Sequence, residues 1–132
     1  MSGLSDYPAA AVLRAENLER AKKFYSEVLG LMEREMAGPG GQAMFSAGDG
    51  TMISIYERPG MPAPQNTTVG FGVAADKFDG LVADLRGKGV VFEDYDIPEM
   101  QLKTVNGVAE MEGLKSAWFK DTEGNILNVV TM

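Results

Sequence analysis

The stretch that decides the fold lies near the end of the chain, Ala117-Trp-Phe-Lys-Asp-Thr-Glu-Gly-Asn-Ile-Leu-Asn-Val-Val130. It predicts a strand, a tight turn at Asp121-Thr-Glu-Gly124 and a second strand. An aspartate at the start of such a turn hydrogen-bonds to its own backbone, and a glycine accepts the positive φ that the turn requires. Taken alone, the stretch predicts one β-hairpin.

A similar stretch occurs half a chain earlier, Met44-Phe-Ser-Ala-Gly-Asp-Gly-Thr-Met-Ile-Ser-Ile-Tyr56. Aligning Gly50 with Gly124 gives an offset of 74 residues, which places Ser54 on Asn128. Strand and helix patterns precede each hairpin in the same order. The sequence therefore predicts an internal duplication, which governs the fold as a whole.

Each copy has the order β-α-β-β-β, so we predict an α+β fold built from two tandem modules. The chain of 132 residues has the size of a single domain, 1–132. Within it we place module one at about residues 9–57, a proline-rich linker at about 58–66 and module two at about 67–132. A glycine-rich break at residues 38–41 interrupts module one.

One amphipathic helix is predicted in each module, because apolar residues recur there at every third or fourth position. The first helix is predicted to begin after Asn17, an N-cap residue, and to end at Gly30. Its buried face is predicted to include Phe24. The second is predicted to begin after an N-cap at Asp76 and to end at Gly87.

Composition excludes several classes of function. The chain has no cysteine and no histidine, and its formal net charge is −7. Disulfides, thiolate chemistry, and the commonest general base and metal ligand are therefore missing. The acidic balance argues against nucleic acid and against an anionic membrane. No apolar run is long enough to span a bilayer and no signal peptide is visible, so we expect a cytoplasmic protein.

Module two contains a long connection. Val90–Phe92 is expected to open a strand, and residues 93–113 then run further than typical loops of compact domains. They carry six acidic residues and one basic residue, Lys103. Two interpretations stay open for the segment, a surface excursion or a lid over a site. Its acidity has two as well, solubility or attraction of a cationic ligand.

Two motifs give the chain a family resemblance. They are Asn17-Leu-Glu-Arg-Ala-Lys-Lys-Phe-Tyr-Ser-Glu-Val-Leu-Gly-Leu31 and Ala117-Trp-Phe-Lys-Asp-Thr-Glu-Gly-Asn125. Together they resemble the vicinal oxygen chelate superfamily, which includes glyoxalase I, extradiol dioxygenases and the bleomycin- and fosfomycin-resistance proteins. The resemblance runs from about Ala9 to Thr131. It implies two βαβββ modules whose sheets curl around a shared cavity, and usually a homodimer.

In metal-using members, the resemblance implies four ligand positions on the first and last strands of the modules. Here they fall on Ala10, Ser54, Thr68 and Asn128, with Gly70 as the alternative to Thr68. These four side chains offer a methyl group, two hydroxyls and an amide. A catalytic divalent metal takes about three strong ligands such as imidazole, carboxylate or thiolate. We therefore expect a metal-free variant of the family, with no cofactor.

Strand alternation predicts which side chains share the face of these four positions. The opposite face is uniformly apolar and is predicted to pack against the helices. The other residues predicted to face the cavity are Val12, Arg14, Met44, Met52, Tyr56, Gly70, Gly72, Trp118, Ile126 and Val130. A mixture of aromatic, thioether and polar groups is typical of ligand pockets. The predicted ligand-binding residues are Ala10, Arg14, Met52, Ser54, Tyr56, Thr68, Gly70, Trp118 and Asn128.

Several of these residues have plainer explanations. Gly70 and Gly72 either make room for a ligand or permit strand curvature. Trp118 is either part of the packing or a stacking platform for a planar or cationic ligand. If Arg14 is buried, it needs an acid such as Glu57 or the carboxylate of a ligand, unless its side chain reaches the rim.

Three functions are compatible with the sequence. The first, which we favour, is a metal-independent protein that binds an aromatic or cationic small molecule, as in the bleomycin-resistance branch. The second is a glyoxalase-like lyase or isomerase, or a dioxygenase, using an atypical metal or a carboxylate base such as Glu57 or Glu110. The third is a dimeric module whose cavity is filled by its own side chains. No catalytic residue is predicted.

Overall fold

The computed structural model describes residues 3–36 and 40–132, so residues 38 and 39 of the predicted glycine-rich break lie outside the described residues. The chain divides into two compact units, Met1–Ala63 and Pro64–Met132. Their boundary falls inside the predicted linker. The first unit contains module one and the second contains module two.

Module one forms a four-stranded sheet and a helix. Its elements are β1 (Ala11–Ala15), α1 (Leu18–Lys23), β2 (Met32–Arg34), β3 (Gln42–Ser46) and β4 (Met52–Glu57). The strand order in the sheet is β1-β4-β3-β2, with β1 parallel to β4 and the other neighbours antiparallel. The predicted order β-α-β-β-β is confirmed.

The first helix begins and ends as its sequence predicts. The side chain of Asn17 accepts a hydrogen bond from the backbone N–H of Arg20 at 3.1 Å, which satisfies one of the free donors of the first turn. After α1 the chain makes a wide π turn over Phe24–Val28. Gly30 follows with φ of 73°, a left-handed conformation that glycine adopts without strain.

Tyr25 is the aromatic residue that this helical segment buries completely, whereas the predicted Phe24 is only half-buried. Tyr25 lies seven residues after Leu18, two helical turns along the same face. Its ring packs against Phe45 of β3 with the centroids 5.7 Å apart. The prediction was right for Leu18 and Ala21 and placed only the aromatic member of the stripe one residue too early.

Module two forms a six-stranded sheet and a helix. Its elements are β5 (Thr67–Val73), α2 (Ala75–Gly87), β6 (Asp96–Ile97), β7 (Leu102–Val105), β8 (Val108–Met111), β9 (Leu114–Lys120) and β10 (Ile126–Thr131). The strand order is β5-β10-β9-β8-β7-β6, and β5 runs parallel to β10. The α+β prediction is confirmed, with two strands more than the duplication required. Among the described residues, no helix has the length and apolar content needed to cross a bilayer.

The predicted start of the second helix is wrong by two residues. Ala74 occupies the N-cap position and gives no side-chain cap, while Asp76 lies inside the first turn. An aspartate is favourable both at the N-cap and within the first turn, where its charge complements the helix dipole. The local sequence therefore does not distinguish the two positions.

The strand predicted to open at Val90–Phe92 is reduced to one bridge, between Phe92 and Phe119. Glu93 then donates its backbone N–H to the carbonyl of Trp118 at 2.8 Å. Further along β9, the neighbour is β8. Residues 94–107, which we call the insertion, follow this bridge and form the β6–β7 hairpin, which continues the sheet beyond β8.

The two hairpins of the duplication have the same register. Ser54 pairs with Met44 in module one, and Asn128 pairs with Trp118 in module two. The offset of 74 residues predicted from the sequence relates these two pairs to each other. The duplication therefore holds for individual residues and not only for the order of elements.

Each sheet buries the face that its sequence pattern predicts. In the last strands, the residues predicted to face the helices are at most 3% exposed, namely Ile53, Ile55, Leu127 and Val129. In module two, α2 contributes the buried side chains Phe78, Val82 and Leu85. Burial of such side chains contributes about 1.5–3 kcal/mol each. The other face of each sheet carries the residues predicted from the sequence to face a cavity.

Candidate functional site

Module two contains a pocket of about 420 Å³. Its walls come from residues 65–67 at the start of β5, from the insertion and from the β9–β10 hairpin. The lining residues are Gln65, Asn66, Thr67, Tyr95, Ile97, Met100, Leu102, Trp118 and Ile126. Small-molecule sites typically have volumes of about 300–1,000 Å³, so the pocket is large enough for a compact organic ligand.

Trp118 is held in place on two sides. Its indole Nε1 donates a hydrogen bond to the hydroxyl of Thr67 at 3.1 Å. The ring of Tyr95 meets it edge to face, with centroids 5.7 Å apart and planes at 76°. Such aromatic pairs contribute about 0.5–1.5 kcal/mol beyond the area they bury. Together the two contacts fix the orientation of the indole in the pocket wall.

Asp94 closes the base of the insertion. Its Oδ1 accepts hydrogen bonds from the hydroxyl of Thr104 and from the backbone N–H of Gly107, both at 2.8 Å. These hydrogen bonds, the one from Thr104 first, lower the pKa of Asp94 below its ordinary value. The carboxylate therefore joins the two ends of the insertion and has a structural role.

Tyr95 follows directly and is fixed through Thr104. The backbone N–H of Tyr95 donates to the Thr104 hydroxyl at 2.7 Å, and its carbonyl accepts from the Thr104 N–H at 2.9 Å. Burial, and then the negative charge of Glu93, raise the pKa of the Tyr95 phenol. The phenol is therefore uncharged at neutral pH and offers a neutral ring to the pocket.

The insertion is also attached to α2. The guanidinium of Arg86 lies over the ring of Phe92 at 5.4 Å and donates to the carbonyl of Asn106. Gly107 comes next, with φ of 79°, and a Cβ on it would meet the Cβ of Phe92 at 2.6 Å. A glycine is required there on both grounds. The pocket wall that the insertion supplies is thus anchored to the helix as well as to the sheet.

The acidic residues of the 93–113 segment do not line the pocket. Glu93 forms an ion pair with Lys120 at 3.5 Å, and Asp94 closes the base of the insertion. Asp96 lies opposite Lys103 in the β6–β7 pairing. Glu99 is exposed next to the lining residue Met100. The acidity of this segment therefore lies outside the pocket wall.

Of the predicted site residues in module two, Trp118 alone lines the pocket. Asn128 is its neighbour on β10, and Gly70 is the neighbour of Asn128 on β5. A Cβ on Gly70 would lie 2.7 Å from Oδ1 of Asn128. The amide of Asn128 therefore occupies the space beside Gly70. The sequence had suggested room for a ligand or strand curvature, and not this contact.

Thr68 lies at an irregularity in β5. Thr67 is the partner of Ile126 and Val69 is the partner of Leu127, so Thr68 has no residue opposite it on β10. Its hydroxyl donates to the carbonyl of Ile126 at 2.9 Å. This bulge shifts the register by one residue, so that Thr67 lines the pocket at the start of the strand. Of the two sequence alternatives, Gly70 is the one that pairs with Asn128.

The other predicted residues belong to module one, and none of them lines this pocket. Ser54 lies between Val12 and Met44 in the sheet. Tyr56 lies between Arg14 and Gln42, and Met52 lies opposite Ser46. Ala10 precedes β1 and is exposed. Arg14 is buried, with 7% of its surface exposed. These residues share the predicted face of their own sheet.

The four positions that the family uses for a metal do not fit a divalent ion. Their side chains are a methyl group, two hydroxyls and an amide, and the Thr68 hydroxyl already donates to a backbone carbonyl. Among residues 3–36 and 40–132, no three His, Cys, Asp or Glu side chains form a group able to hold a metal. Strong charged ligands are what such an ion needs. No step of a mechanism can be assigned to a metal at these positions.

Sequence reasoning missed most of the pocket. Ile126 was predicted to face the cavity, but the rest of the lining was not: Gln65, Asn66, Thr67, Tyr95, Ile97, Met100 and Leu102. The apolar residues at 95, 97, 100 and 102, separated by polar ones, were a usable signal for a pocket wall if the 93–113 segment is interpreted as strands. Residues 65–67 gave no such signal, because they fall at the boundary of the linker.

The fold and the site can now be compared with known proteins. A family model described as the Glyoxalase/Bleomycin resistance protein/Dioxygenase superfamily matches residues 8–129. The chain belongs to this superfamily. The match spans nearly all of both modules, and the resemblance seen in the two motifs is confirmed. No curated protein matches the chain significantly.

Several solved structures share the fold at low sequence identity. An integron cassette protein, HFX_CASS4, from the mobile metagenome of the Halifax Harbour sewage outfall is 19% identical, with a TM-score of 0.69 over 96% of this chain and 98% of that one. The oxidase ChaP-H2 is also 19% identical, with a TM-score of 0.68 and coverages of 96% and 93%. The fosfomycin resistance protein FosX from Mesorhizobium loti is 15% identical, with a TM-score of 0.66 and coverages of 96% and 92%. These similarities show the fold alone.

Proposed function

We propose that this protein is a metal-independent small-molecule-binding protein of the glyoxalase/bleomycin-resistance type, whose pocket in module two takes a planar aromatic ligand, neutral or cationic. The observation that carries the proposal is the pocket of about 420 Å³ around the fixed indole of Trp118. A fixed aromatic ring with apolar neighbours is a stacking surface that needs no rearrangement on binding. Preorganisation of this kind increases affinity.

The chemistry of the lining supports binding rather than catalysis. Its side chains are amides, a threonine hydroxyl, a tyrosine, a tryptophan and aliphatic or thioether groups. None is a carboxylate, a lysine or an arginine, so the lining offers no general base near neutral pH. The phenol of Tyr95, whose pKa is raised, does not supply one either.

Metal independence is part of the proposal. It is supported by the donor chemistry at Ala10, Ser54, Thr68 and Asn128, which offers no charged ligand for a divalent ion. The pocket in module two is also built from groups that bind organic ligands well and metals poorly. The third possibility, a module filled by its own side chains, is disfavoured by the open pocket.

The test uses Trp118, because it is the only tryptophan of the chain. The protein, dialysed against a chelator, is titrated with metal-free bleomycin, with the planar cation proflavine and with the neutral 2-quinolinone. We expect saturable binding of at least one probe by calorimetry and a change in Trp118 fluorescence. Binding should be the same in the undialysed protein. Failure of every probe, or binding only after a metal is added, would contradict the proposal.

Two of the structurally similar proteins are named as an oxidase and as a fosfomycin resistance protein, and these names support an enzymatic alternative. It would be a glyoxalase-like lyase or isomerase, or a dioxygenase, with an atypical metal or a carboxylate base. Neither of the two acids considered for that role lines the pocket. Glu57 accepts a hydrogen bond from the backbone N–H of Leu18 at 2.9 Å. Glu110, on β8, lies opposite Lys115 of β9.

Elemental analysis of protein purified without chelators separates the two functions. One equivalent of zinc, nickel, manganese or iron, retained through gel filtration, would favour the enzyme. The homodimer implied by the family and the cytoplasmic location expected from the sequence stay predictions. Light scattering on the gel-filtered protein tests the first and cell fractionation tests the second.

A further inference from the structure

The charges around the pocket limit what it binds. No lining residue carries a charge at neutral pH, since Tyr95 keeps its proton. Of the acids close in sequence to the lining, Glu93 pairs with Lys120 and Asp94 accepts from two donors of the insertion. Asp96 and Glu99 are exposed and are not part of the lining. A charged ligand would therefore lose its hydration without gaining a partner of opposite charge inside the pocket. Such a loss is unfavourable in apolar surroundings, and more so for an ion than for a neutral polar group.

The lining combines polar and apolar groups. The polar groups form one continuous run, Gln65-Asn66-Thr67. The apolar groups come from the insertion and β10 and consist of Ile97, Met100, Leu102 and Ile126. Trp118 lies among them, with its Nε1 bonded to Thr67, which in turn pairs with Ile126 in the sheet. A flat molecule stacked on this ring would therefore meet both amides and aliphatic groups.

Part of the polar run is already used within the protein. The Thr67 hydroxyl accepts from Trp118, and the Asn66 amide donates to the carbonyl of Thr67 at 3.2 Å. The side chain of Gln65, which lies in the lining, forms no hydrogen bond with any residue that the structure describes. An amide offers both a donor and an acceptor. It is the group best placed to recognise a complementary donor–acceptor edge.

We propose that the ligand of this pocket is an uncharged planar aromatic molecule that carries one hydrogen-bonding edge of the lactam or amide kind, recognised by Gln65 while its ring stacks on Trp118. This inference rests on the proposed function and narrows it to one class of ligand. The net charge of −7 then acts as a solubility feature of the whole chain. It is not the source of specificity.

The experiment compares two ligands of nearly equal size, 2-quinolinone and N-methylquinolinium, by calorimetry on the full chain. We expect 2-quinolinone to bind at least about tenfold more tightly, which corresponds to about 1.4 kcal/mol. Its affinity should not change between about 50 and 300 mM salt, because no ion pair forms. Tighter binding of N-methylquinolinium would overturn this inference and leave the proposed function standing. If neither these two nor the other probes bind, the proposed function itself fails.

A pair of variants tests the role of Gln65. Gln65→Met keeps the length of the side chain and removes both hydrogen-bonding groups, so affinity for 2-quinolinone should fall about three- to tenfold, the effect of one hydrogen bond. The matched control is Gln42→Met, the same change on β3 in module one, which should leave affinity unchanged. Equal affinities of the two variants for 2-quinolinone would show that Gln65 does not hydrogen-bond to the ligand. Circular dichroism of both variants verifies that they are folded.

Discussion

The rings of Tyr95 and Trp118 meet edge to face with their centroids 5.7 Å apart, although 22 intervening residues separate them in the sequence. Tyr95 belongs to the insertion, and Trp118 belongs to the β9–β10 hairpin from which the fold was predicted. Their contact is therefore the point at which a segment without a counterpart in module one meets a hairpin that both modules share. The insertion and this hairpin each supply part of the pocket wall.

The first prediction concerns that contact. Tyr95→Ala should weaken binding of a planar aromatic ligand by roughly two- to tenfold, because an edge-to-face pair contributes about 0.5–1.5 kcal/mol and its loss frees the indole to reorient. Tyr95→Phe keeps the ring and should bind as the wild type does. Calorimetry measures both, with Tyr7→Ala as a control on an exposed tyrosine that precedes module one. A loss as large in the phenylalanine variant would show that the hydroxyl, not the ring, is what matters.

The second prediction concerns the indole's other support. Thr67→Val removes the acceptor of the Trp118 N–H, so the fluorescence anisotropy of the free protein should fall and ligand affinity should drop by several-fold. The net contribution of one such hydrogen bond is about 0.5–1.5 kcal/mol. Thr122→Val is the matched control, because Thr122 bonds to Glu123 in the 121–125 turn and does not line the pocket. Identical anisotropy in the two variants would contradict the proposed role.

The third prediction concerns pH. The pKa of Asp94 is lowered in the folded protein by its hydrogen bonds with Thr104 and Gly107. Its carboxylate therefore stabilises the fold above the unfolded pKa of about 3.9, and that stabilisation is lost as the pH falls through the lower folded value. Asp94→Asn should lower the urea midpoint near neutral pH, and its difference from wild type should shrink on acidification below about pH 4.

The control for this prediction is Asp96→Asn, two residues further along, whose carboxylate receives neither of these hydrogen bonds. Urea midpoints of the three proteins are compared from neutral pH down to about pH 2.5, with intrinsic fluorescence as the signal. If the difference between wild type and Asp94→Asn is constant across this range, the carboxylate of Asp94 does not stabilise the insertion.

The fourth prediction concerns the packing of Gly70 against Asn128. Gly70→Ala should destabilise the protein by about 1–3 kcal/mol, because the new methyl group would lie 2.7 Å from Oδ1 of Asn128. Adding Asn128→Ala should recover most of that loss, since the two residues are in contact. Gly72→Ala is the control: its neighbour is Met132, the exposed last residue, whose side chain moves away at little cost. Additive effects in the double variant would mean that the clash is not the cause.

The sequence predicted those parts of the fold that depend on residues close together in the chain. The hairpins were predictable because their turns are encoded locally: Asp121 Oδ1 accepts the N–H groups of Glu123 and Asn125, both at 2.8 Å. Strand alternation then predicted the buried face and the pocket side of Trp118 and Ile126. Each of these depends on residues at most five positions apart.

The pocket depends on interactions of longer range, and for that reason it was not predicted. Thr67 and Trp118 are 51 positions apart, and Asp94 bonds to residues 10 and 13 positions away. The bulge at Thr68 also shifts the register by one residue, an effect that alternation cannot anticipate. The positions that the resemblance assigned to a metal indicate which chemistry is missing, whereas the wall that the insertion supplies was found only from the structure.

The last prediction separates a structural role of Glu57 from a catalytic one. Its Oε2 accepts the backbone N–H of Leu18 at 2.9 Å, at the start of α1, where a negative charge also favours the helix dipole. Glu57→Gln keeps an acceptor and removes the charge, so the protein should lose about 0.3–1 kcal/mol of stability, less at high salt. Ligand affinity at the module two pocket should not change. Glu16→Gln, which alters the acid that binds the N–H of Gly60 at 2.8 Å, is a control for the loss of one charge in the same module. If Glu57→Gln instead left the urea midpoint unchanged and abolished an observed turnover, the enzymatic alternative would replace the binding function proposed above.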